Sequence, residues 1–267
     1  MPGTPSFSVN MQTEDYEDLY ALEENFWWFA GMRELTATLL DPFCPQSRGR
    51  VILDAGCGTG INLAWLHRYA GNGRVYGIDV SEDALRFCRA RGHRLLAHAS
   101  VTALPFADAC FDLITSFDVL VQLPGADADA QAAHEMYRVL RPGGIAFARA
   151  AAYEWLRSGH DAALGSQRRY SLGGLQELLE GAGFSVLRAT YANSVLLPVA
   201  ALRRLLLKRI GLADSGSDVQ PLAPGLQWLN GALQSMLRGE ASWLRSARRN
   251  LPAGLSAICI AQKPNNE

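Results

Sequence analysis

Between residues 50 and 150, short apolar runs alternate with longer stretches whose apolar residues recur at helical spacing. "RVILDA" is a β-rich run that ends at glycines, and "INLAWLHRYA" follows with apolar positions at Ile61, Leu63, Ala64 and Leu66. "RVYGIDV" predicts a second strand. "SEDALRFCRARG" predicts a helix capped by Ser81 and stopped at Gly92. "RLLAHA" and "FDLITSFDVL" predict the third and fourth strands, "ADAQAAHEMYRVL" a helix running to Pro142, and "GIAFARA" the fifth strand. This alternation predicts a parallel sheet with helices on both faces, which binds ligands at the carboxyl ends of its strands where strand order reverses.

The second half is less regular. "SLGGLQELLEGAGF" predicts a helix capped by Ser171 and closed near Gly183, and "FSVLRATYA" and "LSAICIAQK" predict two more strands. Residues 193–252 lie between them as an interrupted helical insert, too long for a plain loop. Within the insert, "SVLLPVAALRRLLLKRIGL" opposes an apolar face to a basic one, and "GLADSGSDVQPLAPG" reads as a linker.

Composition narrows the class. Apolar residues make up 49% of the 267 and charged residues 19%, enough for a sizeable core. The formal net charge of −1 argues against a general nucleic-acid binder. Five scattered cysteines without a CxxC pair suggest neither a disulfide framework nor a zinc site, and no metal is expected. The N-terminus does not read as a signal peptide, and no run of apolar residues is long enough to span a bilayer. The expectation is a soluble protein of a reducing cytoplasm, monomeric or homodimeric.

The chemistry starts at "VILDAGCGTG". Asp54 ends the first strand, and Gly56, Gly58 and Gly60 bring backbone amides and a helix N-terminus to one place. Asp79 stands 19 residues beyond Gly60 at the end of the second strand, placed to accept from two ribose hydroxyls. This pattern alone fits nicotinamide-binding and S-adenosylmethionine-binding folds equally, and a tight turn without ligand is the third option.

The later segments break the tie. With "LDAGCGTG" and "GIDVS", the stretches "SVTALPFADACFDLITSFDVL" and "RVLRPGG" resemble the class I S-adenosylmethionine-dependent methyltransferases over residues 50–150. The resemblance implies an α/β, Rossmann-like seven-stranded sheet with its last strand antiparallel, here carrying an N-terminal helical lid (1–49) and a helical insert (193–252) between strands six and seven. The core then comprises residues 50–192, completed by the final strand in 253–267.

Carried over by position, Gly56, Cys57 and Gly58 approach the methionine part of the cofactor, and Asp54 orients its amino group through water or loop amides. Asp79 holds the ribose diol and Val80 packs on the adenine. Ser100 and Val101 stand beside the adenine, with Ser100 replacing a common Asp. Phe117 and Asp118 lie where cofactor and acceptor meet. "DVLVQL" departs from the family's "DVLEH", which leaves Gln122 on the acceptor side and excludes a catalytic His there.

"ENFWWFAGMRE", "YEWLRSGHDAALGSQRRYS", "YANSVLLPVAALRRL" and "PAGLSAICIA" resemble a bacterial subfamily without firmly assigned substrates. Four aromatics, Phe26 to Phe29, read either as a helix packed on the sheet or as a lid over cofactor and substrate, lined by Tyr16, Tyr20, Trp27 or Trp28 and with Arg33 as a candidate partner for the cofactor carboxylate. His160 is the candidate general base, with Asp161 orienting it or acting itself, and Arg168 and Arg169 are candidate acceptor contacts; the equal alternative is that His160 and Asp161 stabilise the loop, with Arg168 or Arg169 paired to a nearby carboxylate. Tyr170 is expected to pack at the start of the next helix, with its hydroxyl a candidate to reach the site as a catalytic group. The insert carries eight basic residues against three acids. Leu196, Leu197, Leu202, Leu205 and Leu206 are its expected apolar wall, joined by Trp228 and Trp243. The expected activity is methyl transfer from S-adenosylmethionine to a small apolar metabolite in biosynthesis, on oxygen, carbon or nitrogen. Two alternatives stay open: a non-methylating reaction such as cyclisation, and a lipid or quinone methyltransferase held weakly at a membrane by the basic insert.

Overall fold

The computed structural model describes residues 13–24, 26–45, 49–159, 161, 165–209 and 228–265. Its elements are α1 (Thr13–Leu22), α2 (Trp27–Leu40), β1 (Val51–Ala55), α3 (Ile61–Ala70), β2 (Arg74–Asp79), α4 (Glu82–Ala90), β3 (Leu96–His98), β4 (Phe111–Phe117), α5 (Ala128–Val139) and β5 (Leu140–Ala151). A 3₁₀ turn at Glu154–Leu156 precedes α6 (Leu172–Gly181), β6 (Ser185–Ala192), α7 (Leu197–Arg209), α8 (Trp228–Leu244) and β7 (Ser256–Gln262).

The seven strands order as β3-β2-β1-β4-β5-β7-β6. All neighbouring pairs from β3 to β5 are parallel, and β7 runs antiparallel between β5 and β6. The expected sheet, with its reversed last strand, is what forms. Local chemistry agrees at the helix starts: the Ser81 hydroxyl accepts from the Ala84 amide, and the Ser171 hydroxyl from Gly174. One boundary moves. The helix expected to reach Pro142 ends at Val139, because Leu140 already pairs with Phe111 and "RPGG" lies within β5. β5 lies inside the sheet between β4 and β7, and Pro142 falls in the irregular stretch between the Leu140–Phe111 and Ile145–Leu113 pairs, where it is not asked to continue a helix or donate to the ladder.

Two apolar layers sandwich the sheet. On one side α5 and α6 contribute Ala132, Met136, Leu175 and Leu179. On the other, α2, α3, α4 and α8 contribute Leu35, Leu39, Leu63, Leu66, Leu85 and Leu237. Helix α8, from the insert, therefore packs on α2, from the N-terminal segment. A Cβ on Gly31 would lie 2.5 Å from Leu237, so only glycine permits this approach. The Glu34–Arg238 ion pair at 2.9 Å and a 2.8 Å bond from the Trp27 amide to Asn230 Oδ1 close the same seam.

Strand order reverses between β1 and β4, so the loops after them leave to opposite sides and open a crevice at the carboxyl end of the sheet. Strain collects there too. Asp118, Tyr153 and Asn193, following β4, β5 and β6, hold φ values of 60°, 59° and 59°, a region that non-glycine residues seldom adopt.

Candidate active site

One cleft of about 1100 Å³ lies over that crevice, walled by α1, α2, the β1 and β4 loops, the segment after β5, and α7. At one end sits the glycine loop. The amides of Gly56 and Cys57 donate to the Ile78 carbonyl at 2.9 and 2.8 Å, which folds the loop against β2. Gly58 (φ +53°) then donates to Asp79 Oδ2 at 2.9 Å, while the Ser81 amide holds Oδ1 at 2.9 Å. Burial pushes the Asp79 carboxyl up, partly offset by these amides and that of Val80. A Cβ on Gly58 would meet nothing within 4 Å, whereas one on Gly56 would strike Val119 Cγ2 at 2.2 Å. Gly56 thus serves packing, and Gly58 serves the open cleft.

Val80, Ser100 and Val101 continue the wall. The Ser100 hydroxyl pairs with that of Thr102 at 2.7 Å and accepts from the Thr102 amide, so it shapes its own turn. Cys57 also lines the cleft, with its sulfur 3.7 Å from that of Cys88. This contact and burial push its thiol well above the ordinary value, which suits packing and not attack.

Asp54 does not line the cleft. It is fully buried, accepts from Thr115 Oγ1 at 2.7 Å, and its Oδ2 finds no partner. Burial lifts its carboxyl to about 7. Any action of Asp54 on a ligand would therefore be indirect, through water or the loop amides above it, as the sequence implied.

Helices α1 and α2 place Tyr16, Trp27, Trp28 and Arg33 in the cleft wall. Arg33 Nη1 is buried without a hydrogen-bond partner, and burial lowers its pKa, against the charge of Glu23. Glu23, which the sequence reading did not single out, lines the cleft beside it. Glu23 accepts from the Thr59 hydroxyl and from Arg91 (3.3 Å), and burial raises it to about 6. The pair latches the end of α1 to the glycine loop. Tyr20 is corrected: its ring packs under the Arg91 guanidinium at 4.0 Å and against Phe87, and it does not line the cleft.

Beyond β4 the cleft changes character. Arg149 donates twice to Asp118 Oδ2, at 2.9 and 2.6 Å, and lies over the Trp28 and Phe117 rings at 4.9 and 5.1 Å. Gln122 lines this half. Arg169 and Asp161 also line it, locked in a buried pair at 2.7 and 3.0 Å. Burial works to raise the Asp161 carboxyl, but the Arg169 hydrogen bonds and charge outweigh it and hold it below the ordinary range. An acid so held is a poor proton acceptor.

For Arg168 and Tyr170 the structural alternatives hold: Arg168 is paired to a carboxylate and Tyr170 is buried just before α6. Arg168 pairs with Asp129 at 2.6 Å and donates to the Leu123 carbonyl at 3.0 Å; the Tyr170 hydroxyl donates to Asp129 at 2.6 Å. Neither lines the cleft; Arg168 ties the loop after β4, and both tie the start of α5, to the segment before α6. His160 lies outside the described residues. Among the described residues no cluster of ligating side chains could hold a metal ion, and no helix is long and apolar enough to cross a membrane.

The insert shows a different face from the expected one. Of the expected wall Leu196 lines the cleft and Leu197 and Leu202 do not, and Val199, Ala200, Arg203 and Arg204 line it as well. The side chains of Leu205 and Leu206 lie outside the described residues. Trp228 and Trp243 are exposed and do not join the wall. Asn193, Thr36 and Arg149 escaped the sequence reading. Asn193 Oδ1 and Thr36 Oγ1 are buried in cleft-lining residues without a partner, orphans that no pattern in one sequence announces.

Known proteins resemble this chain in sequence and in fold. Residues 53–148 match a family model described as a methyltransferase domain. A Mycolicibacterium smegmatis protein named as an S-adenosylmethionine-dependent methyltransferase is 34% identical over 167 residues, 61% of each chain. The chain thus spans less than two thirds of that relative. Among solved structures, a Haloferax volcanii methyltransferase in complex with the activator Trm112 superposes with a TM-score of 0.60 at 20% identity, covering 97% of this chain and 99% of the other. The [4+2]-cyclase SpnF superposes with 0.53 at 22% identity, covering 87% and 81%. At such identities the likeness is one of fold.

Proposed function

We propose, for a chain whose residues 53–148 belong to the class I S-adenosylmethionine-dependent methyltransferase superfamily, that it binds S-adenosylmethionine over the glycine loop and methylates a small molecule with an apolar body. The observation that carries this reading is the fixed carboxylate of Asp79, held by Gly58 and Ser81 at the cleft floor.

Each part of the donor has a matching group. Two amides orient Asp79, and each of its oxygens keeps a lone pair for a ribose hydroxyl. The open space at Gly58 admits the methionine chain close to the backbone. Arg33 Nη1, buried and unpaired, matches the carboxylate, and Glu23 beside it suits a cationic amine. Val80 and Val101 offer flat apolar contact for an adenine, and Phe117 and Asp118 mark the passage to the second half.

When bound, the donor supplies an electrophilic methyl on a positive sulfur. The chain's task is to bring an acceptor atom in line with it and exclude water, a contribution of position. Trp27, Trp28 and Met32 of α2 cover the cleft from one side, and Leu196 and Ala200 of α7 from the other. Asp118 and Arg149 form a fixed ion pair at the junction that holds the Trp28 and Phe117 rings in place there. Asn193 Oδ1 is placed to take a hydrogen bond from the acceptor.

The test is incubation with S-adenosylmethionine and a fractionated pool of bacterial small metabolites, reading S-adenosylhomocysteine. Acceptor-dependent product supports the reading; tight cofactor binding with no product from any fraction counts against it. The likeness in fold to a cyclase supports a second reading, in which an acceptor is converted while S-adenosylmethionine is recovered unchanged.

A further inference from the structure

Helix α8 turns Leu237, Ala241 and Leu244 inward onto the core. Helical spacing puts Trp228, Ala232, Ser235, Met236, Gly239 and Trp243 on the other side, all exposed and none charged. Trp228, Met236 and Trp243 are 68%, 46% and 50% exposed, where a solvent-facing helix ordinarily carries charge. The Ser235 hydroxyl donates to the Gly231 carbonyl of its own helix, so it asks for no outside partner. Glu240 is the only acid between Trp228 and Asn250 and turns away from this face. It is buried and accepts from the Asn193 and Val195 amides at 2.7 and 2.9 Å. Because Glu240 stands one turn from both Met236 and Trp243, those bonds bring Val195 alongside them. Val195, Val199 and Leu202 continue the exposed apolar band along α7, and Val199 also lines the cleft.

Arg245, Arg248 and Arg249 follow the C-terminal end of α8. All three are exposed, and among the described residues none of them is ion-paired. Arg249 lies over the Trp243 ring at 4.4 Å, which joins the basic end to the apolar face. We infer that this band docks on an anionic lipid bilayer, with α8 lying in the headgroup region and the three arginines on lipid phosphates. Tryptophan rings sit at headgroup depth, the small residues between them let the helix approach closely, and guanidinium groups are drawn to a negative leaflet. A second copy of the chain would bring the same basic end and no acid on its face to meet it, so charge complementarity favours the bilayer. Docked in this way, α7 turns the rim of the cleft toward the membrane. The membrane contact expected from the basic stretch of α7 thus moves to α8. Docking needs no bound cofactor and is independent of the proposed activity.

The experiment sediments the full chain with vesicles of phosphatidylcholine, alone or with about 30% phosphatidylglycerol, at about 0.1 M and about 0.5 M salt. We expect binding to the anionic vesicles at low salt, at least about tenfold tighter than to the neutral ones and weakened by the higher salt. The double change Arg245→Gln and Arg248→Gln should weaken it about tenfold, and Trp243→Ser by a similar factor, both with nearly unchanged Tm. Leu95→Ser, which removes an exposed leucine beside β3 at the opposite edge of the sheet from β6, should bind as wild type does. Three results would each overturn the inference: no sedimentation with anionic vesicles at low salt; binding untouched by both sets of changes; or a solution dimer, dissolved by Trp243→Ser, that does not bind vesicles.

Discussion

The amide of Gly58 donates to Oδ2 of Asp79 across 2.9 Å, joining the loop after β1 to the tip of β2. Two residues far apart in sequence thereby form one rigid element of the cleft floor. The carboxylate is aimed before any ligand arrives, which saves ordering cost on binding.

The two glycines of this loop should answer differently to the same change. Gly58→Ala places a methyl in the cleft and costs about 1–2 kcal/mol for its left-handed backbone. Gly56→Ala adds a clash with Val119 at 2.2 Å and should lower Tm further. Thermal melts with calorimetric titration separate the effects: Gly58→Ala should lose affinity for S-adenosylhomocysteine while staying folded. Undiminished affinity would remove Gly58 from the ligand's path.

Arg33 should read the carboxylate and nothing else. Losing a charge-assisted hydrogen bond of about 1.5–3 kcal/mol, Arg33→Gln should bind S-adenosylhomocysteine roughly ten- to a hundredfold more weakly. Affinity for 5′-methylthioadenosine, which lacks the amino-acid end, should not change. Equal losses for both ligands would point to a general disturbance of α2.

Asp54 sets a pH dependence of stability. Its carboxyl titrates at about 7 in the folded chain against an ordinary value of 3.8, because burial disfavours the charge. The folded protein therefore holds the proton longer. This group's contribution is fully present below pH 4 and is lost as pH rises to about 7, on the order of 4 kcal/mol in all. Asp54→Asn should leave Tm little changed near pH 4 and raise it relative to wild type at pH 8. A constant difference across that range would contradict the assignment.

The Asp161–Arg169 pair, 3% and 5% exposed, is expected to hold the segment after β5 in place. Asp161→Asn leaves a guanidinium buried and should cost about 3–5 kcal/mol of stability. An unchanged denaturant midpoint would show that the pair matters only for chemistry.

The sequence made the sheet legible because its strands are set off by residue types that punctuate: Asp54 before glycines, Asp79 before Ser81, "FDL" into β4. Where a contact comes from a distant element, that punctuation is silent. Tyr20 looked like a cleft residue until Arg91 at the end of α4 covered its ring, and Arg168 and Tyr170 until Asp129 of α5 drew both away. Helix α7 was misjudged for a related reason. Apolar spacing finds a stripe, but its neighbours decide which edge of the stripe faces inward, and Arg204 is anchored by Leu156 while Leu202 faces out. Asn193 and Arg33 differ again. Their orphaned atoms show only once everything near them is placed.

Calorimetric titration of the wild-type chain and of Asp79→Ala with S-adenosylhomocysteine tests the central claim most directly. The account predicts one site per chain for wild type and a loss of about 1–3 kcal/mol in the variant, with Tm nearly unchanged. Absence of binding to the wild type, or equal affinity in the folded variant, would contradict it.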